Sequence, residues 1–222
     1  VTTTRRPGGY RGTVCAAIIA LAAALLVMFP VSAHAAPSFD GQVGPAVQVV
    51  SVRSHGTTAT IEAWQGGLSG WDRVAGPFEG FIGANGVAPV AIDGVPATPL
   101  GVFGLESVFG TGPPPGGLLP YQRVGANDWW DGDPRSPTYN SHQVCAPGTC
   151  RFDEGESEQL AIPEYEYAVV MGVNAQRVPG GGGAFFMHVS GGVPTEGCVS
   201  LERSSLLTII RWLAPGAVIA IS

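Results

Sequence analysis

His188 and Cys198 stand ten positions apart in "AFFMHVSGGVPTEGCVSLERSS", the stretch from Ala184 to Ser205. A thiol attacks a carbonyl only as the thiolate, so a cysteine with an ordinary pKa near about 8.5 needs a neighbouring base. An imidazole can take that proton. In "AFFMHVS" strand alternation sets Phe185, Met187 and Val189 on one face and Phe186, His188 and Ser190 on the other. The first trio is expected to face a core, which leaves His188 directed elsewhere. The return through "GGVPTEG" is long enough to fold Cys198 back toward the end of that strand. Gly197, directly before the cysteine, admits a positive-φ turn in which consecutive backbone N–H groups converge on a developing oxyanion. The competing reading is a buried thiol that happens to follow a hydrogen-bonded core histidine.

Cysteine usage bears on that choice. The apolar run "VCAAIIALAAALLVMFP" follows Arg5, Arg6 and Arg11 and leads into "VSAHAAP", which holds an Ala-x-Ala site at Ala33, His34 and Ala35. Basic, apolar and small-residue regions in this order predict a secretory signal peptide over residues 1–36, and the run falls short of the ~20 residues that span a bilayer. Of the four cysteines, Cys15 would leave with the leader. Cys145 and Cys150 bracket "APGT", a Pro-Gly turn that brings two cysteines within disulfide reach in an oxidising compartment. Cys198 is then the odd thiol, and an unpaired cysteine in an exported protein calls for a chemical explanation.

The elements that must hold these residues are mostly strands. Gly and Pro are frequent, 33 and 19 of 222 residues, and "GTGPPPGGLLP", "DGDPRSPTYN", "CAPGTC" and "VPGGGG" interrupt any continuous helix. "VQVVSVRSHGTTATIEAW", from Val47, alternates around a His-Gly turn and predicts a hairpin. Similar short runs recur at "PLGVFGLES", Tyr165–Asn174, "AFFMHVS" and "AVIAIS". The exception is "ERSSLLTIIRWLAPG", where Leu206, Leu207, Ile209, Ile210 and Leu213 are spaced for one helix face and Pro215-Gly216 ends it. Residues 37–46 read as a short linker and 47–222 as one domain. All eleven basic residues are arginine against 17 acids, a net charge of -6; this argues against nucleic acid, which demands a basic face.

Other candidates are weaker. His55 in "RSHGTT" reads as a turn residue, and His142, beside the cysteine loop, as a solvated histidine able to line a cleft. The acidic run "DEGESE", Asp153 to Glu158, lacks the spacing of a calcium loop and reads as solvated.

From Phe185 to Ile221 the chain resembles the catalytic motif of the L,D-transpeptidases, the YkuD-type domain, in its short-spaced bacterial form. A Phe-x-His-Val strand is followed by a brief loop, Thr-x-Gly-Cys-Val, and a Leu-rich helix ending "WLAPGAVIAI". "GFIGANG", "DGVPATPLGVFGL", "WWDGDPRSPTYN" and "YEYAVVMGVN" resemble further segments of that family in the same order, so the likeness runs from about Trp64 to Ser222. It implies a mainly β fold, a YkuD-like β-sandwich or mixed-sheet domain with one C-terminal helix after the cysteine. Cys198 is implied as the acyl-accepting nucleophile and His188 as its base. Ser190, or a backbone carbonyl near it, would orient the imidazole, and the Gly197 and Cys198 N–H groups would form the oxyanion hole. Thr195, Tyr139, Asn140 and Trp130, with Asp131 beside them, are implied on the substrate side. Many relatives carry a histidine where this chain has Glu196, which is expected to point to solvent.

The implied reaction is acyl transfer on peptidoglycan stem peptides. D-alanine is released and the acyl group passes to an amine, with no metal and no organic cofactor. A stem-peptide hydrolase and a non-catalytic wall-binding module are the alternatives. The chain is expected to be a secreted or wall-associated monomer whose partners are stem peptides and which meets the membrane only through its export signal.

Overall fold

The computed structural model describes residues 1–4, 8–9 and 37–222. The signal-peptide reading, Cys15 included, lies outside the described residues. Contacts divide the chain at residue 35, and the unit from Ala36 to Ser222 holds every strand and helix of the described fold.

The strands run in the order β1 (Gln48–His55), β2 (Thr58–Gly67), β3 (Gly70–Phe81), β4 (Val87–Ala88), β5 (Thr98–Pro99), β6 (Gly101–Gly110), β7 (Tyr121–Arg123), β8 (Asp128–Asp131), β9 (Ser141–Val144) and β10 (Glu158–Gln159). A 3₁₀ turn at Pro163–Glu166 leads to β11 (Ala168–Met171), β12 (Phe186–Val189) and β13 (Val199–Leu201). The helix α1 (Arg203–Trp212) and β14 (Val218–Ile221) complete the chain. Among the described residues strand makes up 39% and helix 7%, so the mainly β class expected from the sequence holds, with a single α-helix where its spacing placed it.

Nine strands form one mixed sheet in the order β11-β12-β13-β3-β2-β1-β14-β6-β7. β11 also pairs with β6, which closes eight of them into a ring. A second sheet, β10-β8-β9, is centred on β8 at the start of "WWDGDPRSPTYN", whose turn residues hid the strand that Trp129 and Trp130 make.

Alternation along the strands sends side chains to three apolar clusters, of which two, one larger and one smaller, flank β11 and β12. The larger holds Val50, Ile61, Met187, Val199, Leu201 and Ile219 together with Leu206, Ile209 and Ile210 of α1. α1 begins where Glu202 caps it, its carboxylate accepting from the N–H groups of Ser204 and Ser205. The smaller lies on the opposite face of β11 and β12. Phe109, Leu160, Tyr165, Val170, Phe186 and Cys198 meet there, with Trp130 packed against them. Both faces of β12 are therefore covered, and the simple division into a core face and a free face does not hold for Phe186. Its ring meets those of Phe109, Trp130 and Tyr165 edge to face, 4.9–5.4 Å between centroids.

Residues 37–46, read as a linker, instead pack onto the domain. Phe39 and Val43 are buried, and Phe39 packs edge-on to Trp71 at 5.1 Å; apolar side chains that can cover exposed indoles leave water for them. Cys145 and Cys150 form the expected disulfide, their Cα atoms 5.3 Å apart. Among the described residues no helix is long and apolar enough to cross a membrane.

Ile209→Ala, at a fully buried position on α1, is expected to lower stability by about 2–5 kcal/mol in urea titration. Denatured without reductant, the chain is expected to show a single reactive thiol besides Cys15; titration of Cys145 or Cys150 would contradict the pairing.

Candidate active site

β12 and β13 pair in parallel with His188 opposite Ser200 and Met187 opposite Val199. With side chains alternating, Cys198 and Ser200 share the face that carries Phe186 and His188. The cysteine thus lies one pleat back from His188 on the neighbouring strand. The Phe186 N–H points to its sulfur at 3.3 Å, and the thiol donates to the Ala184 carbonyl at 3.4 Å. Both His188 and Cys198 are only 7% exposed.

The imidazole is held from behind. His188 Nδ1 lies 2.8 Å from the Val189 carbonyl, which can only accept, so Nδ1 carries the proton and Nε2 keeps its lone pair. Of the two supports expected from the sequence, the backbone carbonyl holds the ring. The Ser190 hydroxyl accepts from the Gly192 N–H at 3.0 Å and lies 3.4 Å from the Ser200 hydroxyl. Tyr165 stands edge-on to the imidazole, 5.3 Å between centroids. Burial is the largest influence on His188 and lowers its pKa, which favours the neutral form a base needs. Burial also pushes the Cys198 thiol well up, with the Glu158 charge adding to it; the Phe186 N–H and the Tyr165 hydroxyl work the other way. At rest the sulfur is a thiol.

The loop before the cysteine is pinned at three points. Thr195 donates to the Cys198 carbonyl at 2.6 Å and accepts from the Gly197 N–H at 3.2 Å. Its backbone bridges to Gly83, receiving from Ala84 and donating to the Ile82 carbonyl. The buried Thr98 hydroxyl accepts from the Gly83 N–H at 2.9 Å and donates to the Gly197 carbonyl at 2.8 Å. Gly197 has φ +135°, and a Cβ there would stand 2.7 Å from the Phe185 ring and 3.0 Å from the Ala97 carbonyl. Only glycine meets both demands. Since Thr195 occupies the Gly197 N–H, the two-donor oxyanion hole expected from the sequence reduces at rest to the Cys198 N–H, which has no hydrogen-bond partner among the described residues.

A cleft of about 200 Å³ opens over the pair, lined by Glu158, Glu164, Tyr165, His188, Thr195 and Cys198 among others. A second of about 190 Å³ lies beside it, with Asp93, Tyr139 and Glu156 in its wall, and Glu158 and Glu196 line both. Glu196 is exposed, as expected. Glu158 accepts from the Tyr165 hydroxyl, and burial, reinforced by the Glu196 charge, pushes its carboxyl from 4.5 to about 6.

Of the residues expected on the substrate side, Thr195 lines the cleft over Cys198 and Tyr139 the one beside it, and all four brace the chain. Thr195 does so through the bonds given above. Trp130 donates to Asn140 Oδ1 at 2.8 Å, which also accepts from the Ala184 N–H, while the Asn140 amide donates to the carbonyls of Val173 and Asn174. Asn140 thereby ties the small sheet to the segment entering β12. The Tyr139 hydroxyl donates to Asp93, which also takes the Gly180 N–H. Buried Asp131 accepts from the hydroxyls of Ser136 and Thr138 and fixes its own loop. Of the four histidines, His55 lies in its turn near Thr60, and His142, 2.7 Å from Asp128, faces clefts other than the one over Cys198. The acidic run is mixed: Glu154 accepts from the Gly148 N–H within the disulfide loop, while Glu158 enters β10 and reaches the candidate site.

Sequence reasoning missed Tyr165, Glu158 and Thr98. Thr98 and Tyr165 sat in segments already singled out, "PATPLG" and "YEYAVV". Glu158 was hidden in a polar run, with only the neighbouring Leu160 to mark the turn inward.

No protein-family model matches the chain, and no curated protein or solved structure is significantly similar to it.

Thr195→Val removes a donor to one backbone group and the acceptor for another and is expected to cost about 1–3 kcal/mol in denaturant unfolding. Glu158 sets a pH signature. Between pH 4.5 and 6 the folded chain keeps a proton on Glu158 that the unfolded chain has released. Its contribution is therefore complete below 4.5 and lost as pH rises through about 6. His188 works oppositely, its contribution lost as pH falls, so the difference between Glu158→Gln and wild type isolates the carboxylate. That difference should shift in the variant's favour by about 1–2 kcal/mol from pH 4 to pH 7; a difference independent of pH would contradict the assignment.

Proposed function

We propose that this chain is an exported cysteine acyltransferase that works on peptidoglycan stem peptides by L,D-transpeptidation. One observation supports it above the rest: Cys198, whose backbone N–H is unpartnered among the described residues, and a neutral, carbonyl-held imidazole line one cleft. Nucleophile, base and oxyanion donor are the three parts acyl transfer requires. The disulfide suits an oxidising compartment, and the ordered sequence motifs resemble a family with this activity.

The chemistry proceeds in two halves. On substrate binding the Cys198 thiol gives its proton to His188 Nε2, and the sulfur attacks the carbonyl at the L-centre of the stem's diamino acid. The carbonyl π electrons move to oxygen, where the Cys198 N–H meets the charge. Collapse breaks the amide C–N bond, and the imidazolium returns the proton to the departing D-alanine nitrogen. The thioester is then attacked by an acceptor amine whose proton passes to His188. A new amide forms and the sulfur leaves, protonated again by the imidazolium. The thiol is the resting form because burial disfavours the charge, so the thiolate arises only as the proton moves to His188.

The resting bond from the thiol to the Ala184 carbonyl, where an imidazole acceptor would be expected, favours a second reading: a wall-binding module with a disabled site. Exposure to a carbapenem followed by intact mass measurement separates the two. Acylation of Cys198 is expected; a folded protein that takes up nothing would refute catalysis. Cys198→Ala should abolish D-alanine release with the fold intact, and His188→Ala should slow it by about 10²–10⁴-fold.

A further inference from the structure

The cleft over Cys198 and the one beside it are both strongly anionic. Glu158, Glu164 and Glu196 line the one over the thiol, and Asp93 and Glu156 join the shared pair in the other. No arginine lines either, among the described residues, and the chain has no lysine. Glu158 is the central member. It sits in the wall common to both clefts, and through Tyr165, whose hydroxyl it accepts, it is joined to the ring that packs on His188. A half-buried carboxylate in the same cleft as a sulfur that must become negative opposes the chemistry proposed for it. Among the described residues the cleft walls hold no arginine to offset that carboxylate, which leaves the offsetting charge to the ligand. The cleft mouths indicate its form. Exposed Ile162 and Val193 stand at one and exposed Ile92 and Val95 at the other, so an apolar rim leads to an acidic floor. An ammonium on an aliphatic stem fits both parts.

We propose that Glu158 is a charge gate on Cys198: while the clefts are empty its charge adds to the burial that keeps the sulfur a thiol, and a substrate ammonium seated against it removes that part of the restraint. The proposal deepens the acyltransferase reading and rests on Cys198 as the nucleophile. The upward push of the Glu158 charge on the thiol agrees with it. Under this gate a neutral electrophile or water entering alone meets the fully restrained thiol, whereas an ammonium-bearing substrate meets a thiol that gives its proton to His188 more readily. Glu158 is a positioning and specificity residue here and forms no bond to the reacting carbonyl.

The test uses three thiol reagents of similar size on the full chain at one pH: methyl, 2-aminoethyl and 2-sulfonatoethyl methanethiosulfonate. In each, the Cys198 sulfur bonds to the reagent's thiol sulfur, the S–SO₂ bond breaks, methanesulfinate leaves with the electron pair, and the thiol proton passes to buffer. Peptide mass mapping assigns modification to Cys198 and separates it from Cys15. Rates are normalised to those of a small free thiol. Wild type is expected to favour the ammonium reagent over the neutral one by about tenfold, and to disfavour the sulfonate by a similar factor. In Glu158→Gln the neutral reagent should react about tenfold faster than in wild type, while the ammonium advantage falls to within about threefold. Loss of structure alone would slow all three together. A variant that keeps the charge order, or whose neutral rate does not rise, would overturn the gate. Should Glu158→Gln fail to fold, the wild-type series decides, since a sulfonate reacting as fast as the ammonium would overturn it as well. Stem-peptide turnover is assayed in parallel. Absent turnover with the charge order intact refutes the acyltransferase reading alone; turnover without a charge order refutes the gate alone.

Discussion

The candidate site depends on one pairing: β12 and β13 run parallel and adjacent although only residues 190–198 connect them. Parallel neighbours ordinarily need a crossover of about a dozen residues or more, commonly a helix. Here the chain returns on Gly192 and Pro194 and is caught by its bridge to Gly83 before entering β13. A slip of one residue in this register would turn Cys198 into the larger core and bring Val199 beside the imidazole. The bonds of Thr195 and Thr98 to the residues around the cysteine are the local means of preventing that slip.

The same pairing explains the second core. Because His188 and Cys198 face away from α1, the face they occupy must be roofed by something else, and the small sheet with the 3₁₀ turn does so. Phe186 at its centre, ringed by Phe109, Trp130 and Tyr165, is rigid apolar packing directly beneath the thiol. Burial of this kind makes the imidazole neutral and the sulfur protonated, two effects of opposite value for catalysis. In the proposed chemistry the neutral imidazole is the base, and the protonated sulfur is the state that substrate must relieve.

The hairpin, the terminal helix, β12 and the disulfide were legible because each rests on local patterning: alternation, helical spacing, or two cysteines flanking a turn. The placement of Cys198 and His188 in one cleft was legible for the same reason, since Gly197 and the strand pattern of 184–190 are local signals. The roof was not. β8 is a strand because Trp129 and Trp130 pair across to residues 141–144 and 158–159, separations no local window covers. The polar punctuation around them pointed to loop. The roles of Tyr139 and Asn140 were likewise set by distant partners, Asp93 and the carbonyls of Val173 and Asn174, and Glu158 became notable only when folding set it beside Tyr165. The 37–46 segment was misjudged because its apolar residues, Phe39 and Val43, are too few to form a pattern, yet they meet Trp71 and Trp64 from a distant hairpin.

Everything proposed for the site requires that Cys198 form an acyl bond to a stem peptide. The most direct test is the intact mass of the folded protein, quenched in acid shortly after mixing with a muropeptide bearing a tetrapeptide stem. The expected species carries the muropeptide minus D-alanine as a thioester on Cys198, with free D-alanine appearing at the same rate. An unmodified chain with no D-alanine released would contradict it.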